Sequence, residues 1–271
     1  MKDYTLKYGK GSVTFALDEA HVTELYGTPV PKIDDIRAAL YATLSSPVSH
    51  EPLESWVNPE DKVALIVSDM SRFWMRQDLV VPHIISYLTD KCDVNQNNIT
   101  IIIANGTHPG GDENELRTLV TDGVYDRIRV VNHDCQAKDL VYIGTTSLGT
   151  EVRINPIAAN ADKVIMLGAC TYHVMAGYGG GRKSILPGIS GLETIRQNHL
   201  HSLDLLAPRS NPLIGNGVTD GNPLNEDMCQ AAAMVKNLFG INLVTNADMQ
   251  LAHIISGDPM KSWQLACHRV D

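Results

Sequence analysis

The chain has 271 residues, enough for one large domain or two modest ones, each with a buried core. A charged fraction of 20% beside a hydrophobic fraction of 44% excludes an extended disordered polymer. With 22 basic against 31 acidic residues the formal charge is −9, so neither nucleic acid nor an anionic membrane surface is an expected partner. The first residues read as short strands at Tyr4–Lys7, Ser12–Leu17 and Val22–Tyr26, and a helix is predicted over Ile33–Leu44, ending before Pro47. A repeating pattern follows. Compact apolar strands are predicted at Val63–Val67, Ile99–Ala104, Arg127–Val131, Lys163–Leu167 and Ile241–Thr245. Between them lie helical spacings at Val80–Thr89, Asp112–Val120 and Asn225–Phe239, the last closed by Gly240, and a hairpin at Leu140–Ile154. Residues 201–223, rich in Pro, Asn and Gly, read as a long loop.

Unbroken apolar strands separated by helices indicate a mostly parallel sheet covered on both faces. The expected fold is α/β: one doubly wound, Rossmann-like domain over residues 1–271 with a β-rich N-terminal segment. The five cysteines form no C-x-x-C pair, which argues against a thiolate zinc site and a disulfide framework. With no apolar signal-like segment and no run of about 18–20 apolar residues, a cytoplasmic location is expected.

In a doubly wound sheet ligands bind at the carboxyl ends of the strands, and the chemically informative residues follow three predicted strands. After Val63–Val67 comes Ser68-Asp69-Met70-Ser71-Arg72, where an arginine could clamp a carboxylate and Asp69 could orient it or a neighbouring histidine. An N-cap aspartate with a surface arginine is the plainer alternative. After Ile99–Ala104 comes Asn105-Gly106-Thr107-His108-Pro109-Gly110-Gly111, with His108 poorly placed for core packing and well placed to face a cleft. After Lys163–Leu167 comes the densest segment, from Tyr172-His173 through Gly177-Tyr178-Gly179-Gly180-Gly181-Arg182-Lys183-Ser184 to Pro187-Gly188. Its glycines allow close backbone approach, and N–H groups of Gly179, Gly180 and Gly181 beside Arg182 and Lys183 could form an anion nest for a phosphate. Tight turns alone would also explain them. Lys183 is a candidate for covalent attachment to a carbonyl or thioacyl cofactor, and His199, in Asn198-His199-Leu200-His201, for metal binding.

Together, Asp69-x-x-Arg72, Gly106-Thr107-His108 and the run His173, Lys183, Pro187-Gly188, Asn198-His199 resemble the lactate racemase family of nickel-pincer nucleotide enzymes, over roughly residue 10 to the end. Asn211-Pro212 or Asn222-Pro223, and Gly257-Asp258-Pro259, fit less distinctively. The resemblance implies a racemase or epimerase of a small 2-hydroxy acid. It implies Lys183 as carrier of a pyridinium-3,5-dithio-acid mononucleotide, His199 as the protein ligand to its nickel, and His108 and His173 as two acid/base groups. It implies Arg72 as the substrate-carboxylate contact supported by Asp69, and cofactor-synthesis proteins as transient partners. His201 stands as the alternative to His199. Family members continue into a second α/β domain of about 130–150 residues, which this chain lacks. Arg182 stands where lactate-specific relatives carry a smaller residue, so lactate itself is not assigned. Two other readings compete: a catalytically incomplete binding domain, and a dinucleotide oxidoreductase. The second lacks a glycine fingerprint after Val63–Val67.

Overall fold

The computed structural model describes residues 1–9, 11–25 and 27–271. The chain treated above as one α/β domain with a β-rich start divides at that start, into compact units Met1–Val30 and Pro31–Asp271. The first unit is an antiparallel hairpin, β1 (Lys2–Tyr8) on β2 (Gly11–Leu17). The strand expected at Val22–Tyr26 is not formed over 22–25, and Tyr26 lies outside the described residues. A strand needs a partner for its backbone groups, and β1 and β2 pair with each other.

The second unit opens with helices α1 (Ile36–Ser45) and α2 (Leu53–Trp56). Helix α1 starts later than the apolar spacing suggests because the Asp35 side chain accepts from Ala38 N at 2.9 Å and so fixes the N-terminus. Then follow β3 (Val63–Ser68), α3 (Val81–Asp90), β4 (Ile99–Ala104), α4 (Glu113–Val120), α5 (Asp122–Tyr125) and β5 (Arg129–Asn132). The predicted hairpin is β6 (Val141–Thr145) with β7 (Glu151–Ile154), and the short α6 (Pro156–Ala159) leads into β8 (Lys163–Ala169). A two-residue ribbon, β9 (Tyr172–His173) with β10 (Gly177–Tyr178), precedes α7 (Leu192–Leu200) and a second ribbon, β11 (Leu203–Asp204) with β12 (Arg209–Ser210). The unit ends with α8 (Pro223–Ala233), β13 (Leu238–Thr245), β14 (Leu251–Gly257) and α9 (Pro259–Cys267).

The central sheet has the order β14-β13-β8-β3-β4-β5. All its pairs are parallel except β13 with β14. Alternate residues of each strand enter two separate cores, as the two-residue side-chain period requires. Leu65, Val67, Ile101, Ile103, Ile165 and Leu167 pack with α1, α3 and α4 on one face. Ala64, Ile66, Ile102, Val164 and Met166 pack with α8 and the Ile185–Ile189 segment on the other. Chain order runs outward from β3 through β4 to β5, then returns to β8 and β13 on the other side. The direction reverses between β3 and β8, and the crevice beyond their carboxyl ends is where such sheets bind ligands.

The helix before β13 also departs from its predicted bounds. The helix expected over Asn225–Phe239 stops at Ala233, because Leu238 and Phe239 pair with Val164 and Ile165 of β8. Strand pairing in the sheet thus overrides the helical spacing. Gly240 is therefore no helix cap. It sits mid-strand, where a Cβ would lie 2.9 Å from Ser262 Oγ of α9, so glycine serves close packing there.

Candidate active site

A cavity of about 920 Å³ opens at the carboxyl ends of β3, β4, β8 and β13. Asp69, Arg72, His108, His173, Lys183 and His199 all line it, and so do Gly179 and Gly180. His108, His173, Lys183 and His199 thus share one cavity. His201 does not line the cavity. Its Nε2 points to the buried carboxylate of Asp227 at 4.0 Å, which leaves His199 as the imidazole of α7 on the ligand side.

His108 is carried by the loop after β4 and clipped in place from β5. Asn105 Nδ2 donates to Asn132 Oδ1 at 3.0 Å, and the Asn132 amide exchanges two hydrogen bonds with the Gly111 backbone. His108 Nδ1 lies 2.5 Å from Asp69 Oδ2, whose other oxygen accepts from Ser71 Oγ. Asp69 accepts from His108 rather than from Arg72, so Nδ1 carries a proton, and in the neutral form of the ring the lone pair is on Nε2. The Arg72 guanidinium makes only long contacts to Ser71 and forms no ion pair among the described residues, so it is available to an anion.

His173 is held differently. It sits on the β9 ribbon, and its Nδ1 accepts from the backbone N–H of Met175 at 3.2 Å and of Ala176 at 3.1 Å. An accepting Nδ1 places the ring proton on Nε2. Burial, and then the charges of Lys183, Arg72, Arg182 and His199, push this imidazole down to about 3, so it is neutral at ordinary pH. In His199, Nδ1 donates to Ile195 O at 2.9 Å, one turn back on α7, which leaves Nε2 as a lone-pair donor. Burial lowers this imidazole as well, which favours the neutral form that binds metals.

Lys183 lies in a single 3₁₀ turn, Gly181–Ser184, and its amine has no hydrogen-bond or ion-pair partner among the described residues. Burial, then Arg182 and Arg72, bring it down to about 7. At that value a substantial fraction of the amine is uncharged near neutral pH, and an uncharged amine in a cavity is a nucleophile.

Two expectations for the glycine-rich loop are corrected. Gly181 and Arg182 face away from the cavity. The Arg182 guanidinium is fully buried, donates to Asn225 Oδ1 and to the carbonyls of Ala176 and Tyr178, and stacks 3.7 Å from the centroid of Trp263. It offers no donor to a phosphate. Nor is an anion nest formed: Gly179 N donates to Thr171 O and Gly181 N to Asn242 Oδ1. The glycines instead let the loop lie against β8, where a Cβ on Gly168 would meet Gly180 Cα at 2.9 Å. At Gly181, φ is +49° and a Cβ would meet Trp263 at 2.7 Å. Gly181→Ala is expected to cost about 1–3 kcal/mol of stability, read from denaturant unfolding.

The neutral histidines set an acid limit. Their folded forms bind protons less well than the unfolded chain, whose imidazoles titrate near 6.5. The unfolded state therefore gains protons first as pH falls, and stability drops from about pH 6.5 towards the folded value of His173 near 3. The melting temperature should fall through that window, and His173→Asn should flatten the dependence. An unchanged profile in that variant would remove His173 as a contributor.

Sequence reasoning missed Trp74, Thr245, Asn246 and Met249, which also line the cavity. Thr245 ends β13, so the strand-end rule that found His108 would have found it.

The fold and site define a doubly wound α/β domain whose strand-end cavity gathers three imidazoles and a buried lysine amine. The description "Lactate racemase N-terminal domain" matches residues 8–209, and the chain belongs to that family. The lactate racemase of Thermoanaerobacterium thermosaccharolyticum is 26% identical over 279 residues, covering 100% of this chain and 62% of that protein. The lactate racemase of Lactiplantibacillus plantarum is 27% identical over 267 residues, covering 97% and 61%. Among solved structures, the lactate racemase apoprotein from T. thermosaccharolyticum superposes with a TM-score of 0.86 at 24% identity, covering 99% of this chain and 62% of that one. A Thermotoga maritima protein superposes with a TM-score of 0.65 at 18% identity, covering 87% and 58%. These two likenesses concern the fold. The chain thus spans about three fifths of the length of the curated relatives it matches.

Proposed function

We propose that the complete protein is a racemase or epimerase of a small 2-hydroxy acid, and that this domain carries its cofactor and its acid/base groups. The observation that carries the reading is the convergence of His108, His173, Lys183 and His199 on one cavity, with the amine of Lys183 unpartnered. The residues fit a lysine-tethered nickel-pincer nucleotide. The cavity lies within the range of about 300–1,000 Å³ usual for such ligands. Lys183 would hold the nucleotide covalently, and His199 Nε2 would ligate the nickel. No group of three or more His, Cys, Asp or Glu among the described residues is arranged to hold a metal, so the other donors would come from the bound molecule. When bound, that group supplies a hydride acceptor and donor for the substrate carbon. Cofactor-synthesis proteins would be needed to load it.

The protein's own part follows from acid–base chemistry. The α-proton of a 2-hydroxy carboxylate is very weakly acidic because the adjacent carboxylate is already negative. Losing the hydroxyl proton to a base makes departure of the α-hydrogen as hydride far easier and leaves a planar 2-keto acid, open on both faces. Arg72 would hold the carboxylate while the keto acid waits. His108, its Nδ1–H fixed by Asp69, offers Nε2 as a base to the hydroxyl of one enantiomer. His173 would serve the other enantiomer. In its present state it offers Nε2–H as a donor, and it accepts a proton at Nε2 only after its ring gives up the amides of Met175 and Ala176. The two half-reactions are thus structurally unequal.

The test is conversion of a single enantiomer of lactate, and of other small 2-hydroxy acids, by the full-length protein co-expressed with cofactor-synthesis proteins and supplied with nickel. Loss of optical activity is expected for at least one of them. A protein that carries the nucleotide and racemises none would sink the proposal.

A further inference from the structure

The cavity holds an imbalance of charge. Arg72 and Lys183 line it, and the one carboxylate among its described lining residues, Asp69, is engaged by His108. Next to Lys183 in the chain, Arg182 is fully buried. Its acceptors are all neutral: Asn225 Oδ1 at 2.9 Å, Ala176 O at 2.7 Å and Tyr178 O at 2.9 Å. No carboxylate pairs with it among the described residues. A buried guanidinium normally carries a counter-ion, because an uncompensated charge in a low-dielectric interior is costly. Here dipoles and the Trp263 ring, 3.7 Å from the guanidinium, stabilise the cation without neutralising it. Burial leaves Arg182 at about 10, so it is still charged at neutral pH. None of its hydrogen-bond partners carries a charge that would offset its field at the neighbouring residue.

We propose that Arg182 is a positioning residue which, as a buried cation without a counter-ion next to Lys183 in the chain, adds to burial in opposing protonation of the Lys183 amine and so enlarges the fraction able to attack an electrophile. This rests on the reading of Lys183 as the attachment site and deepens it. Two roles combine in one side chain. The guanidinium ties the carbonyls of Ala176 and Tyr178 into the loop between His173 and Lys183, and its charge opposes protonation of the amine. Arg72, His173 and His199 are the other basic groups facing the same space, and each acts in the same direction when charged. A carboxylate placed beside Arg182 should reverse the effect. Two positions allow this: Asn225, which accepts from Arg182 Nε, and Cys229, whose thiol faces the guanidinium.

The experiment is competitive acetylation of the full chain, purified without nucleotide, with trace acetic anhydride across pH 5–11 and peptide mass spectrometry. The amine nitrogen bonds to an acetyl carbon, the anhydride C–O bond breaks, acetate leaves with the electron pair, and the amine proton passes to solvent. In the parent protein, labelling at Lys183 should have its midpoint near 7, well below the ordinary 10.5. Asn225→Asp and Cys229→Asp should each raise that midpoint by about one pH unit or more, while Cys229→Ser leaves it in place. Melting curves identify which variants fold. A parent midpoint in the ordinary lysine range overturns the proposal without any variant. So does an unmoved midpoint in a folded carboxylate variant. Failure of Lys183 to acquire the nucleotide on co-expression would strike the attachment reading alone and leave the labelling result standing.

Discussion

Lys183→Ala, expressed with cofactor-synthesis proteins and nickel, is expected to show no covalent mass addition and no racemase activity above background. The parent, prepared identically, should carry a nucleotide-sized addition that maps to the peptide containing residue 183. The loss should be complete because the proposed bond is to this amine, and no other lysine lines the cavity among the described residues. Stability should move differently. A buried amine with no partner is unfavourable to bury, so its removal should leave the melting temperature of the unloaded protein unchanged or higher. Lost loading in a protein at least as stable separates a chemical role from a structural one. An addition that persists on the alanine variant would end the assignment.

Asp69→Asn should be the second largest effect. The carboxylate accepts from His108 Nδ1 and thereby selects the tautomer whose Nε2 lone pair faces the cavity. An asparagine can offer its NH₂ to Nδ1 instead, which stabilises the opposite tautomer and places N–H where a base is needed. General-base contributions are about 10²–10⁴-fold, and kcat should fall within that range while KM changes little. His108→Ala should fall as far, and the double variant should be little worse than either alone, because the two residues act as a unit. Arg72→Met should show the opposite split, raising KM more than it lowers kcat, as expected for a contact that holds the carboxylate throughout. Additive losses in the Asp69/His108 pair would argue that Asp69 acts by another route.

The inequality of the two histidines gives a further expected result. His173 must break two backbone hydrogen bonds to become a base, whereas His108 is already set as one. Single-turnover rates measured from opposite enantiomers should therefore respond unequally to Asp69→Asn. Formation of the keto acid from the enantiomer whose hydroxyl His108 deprotonates should slow by the larger factor, while kcat/KM for full racemisation falls equally in both directions because the equilibrium constant is unchanged.

Much of this site could be read before any coordinates. His108, Asp69 and Lys183 were legible because each follows a compact apolar strand, and strand ends in a doubly wound sheet share one edge. The three regions are far apart in sequence, so only the regularity of the fold brought them together on paper. Arg182 shows the limit of that reading. A basic residue in a glycine-rich loop looks like a phosphate contact. Nothing local shows that Trp263, some eighty residues later on α9, provides a face for its guanidinium, or that Asn225 on α8 takes its Nε–H. The orientation of a long side chain depends on partners that local sequence does not list. The same holds for Leu238–Phe239, whose helical spacing gives way to pairing with β8.

The sequence by itself determined which residue types are present, the alternation of buried strands and helices, and hence the edge of the sheet where chemistry collects. Hydrophobic periodicity is a local property, and the chirality of β–α–β crossovers leaves few ways to assemble it. Only the tertiary structure decided which nitrogen of each cavity histidine is committed to a hydrogen bond, which carboxylate pairs with His108, and that the cation beside Lys183 in the chain is buried rather than exposed. Those outcomes depend on hydrogen-bond partners and solvent exclusion contributed by segments remote in the chain, and these exist only once the elements have packed.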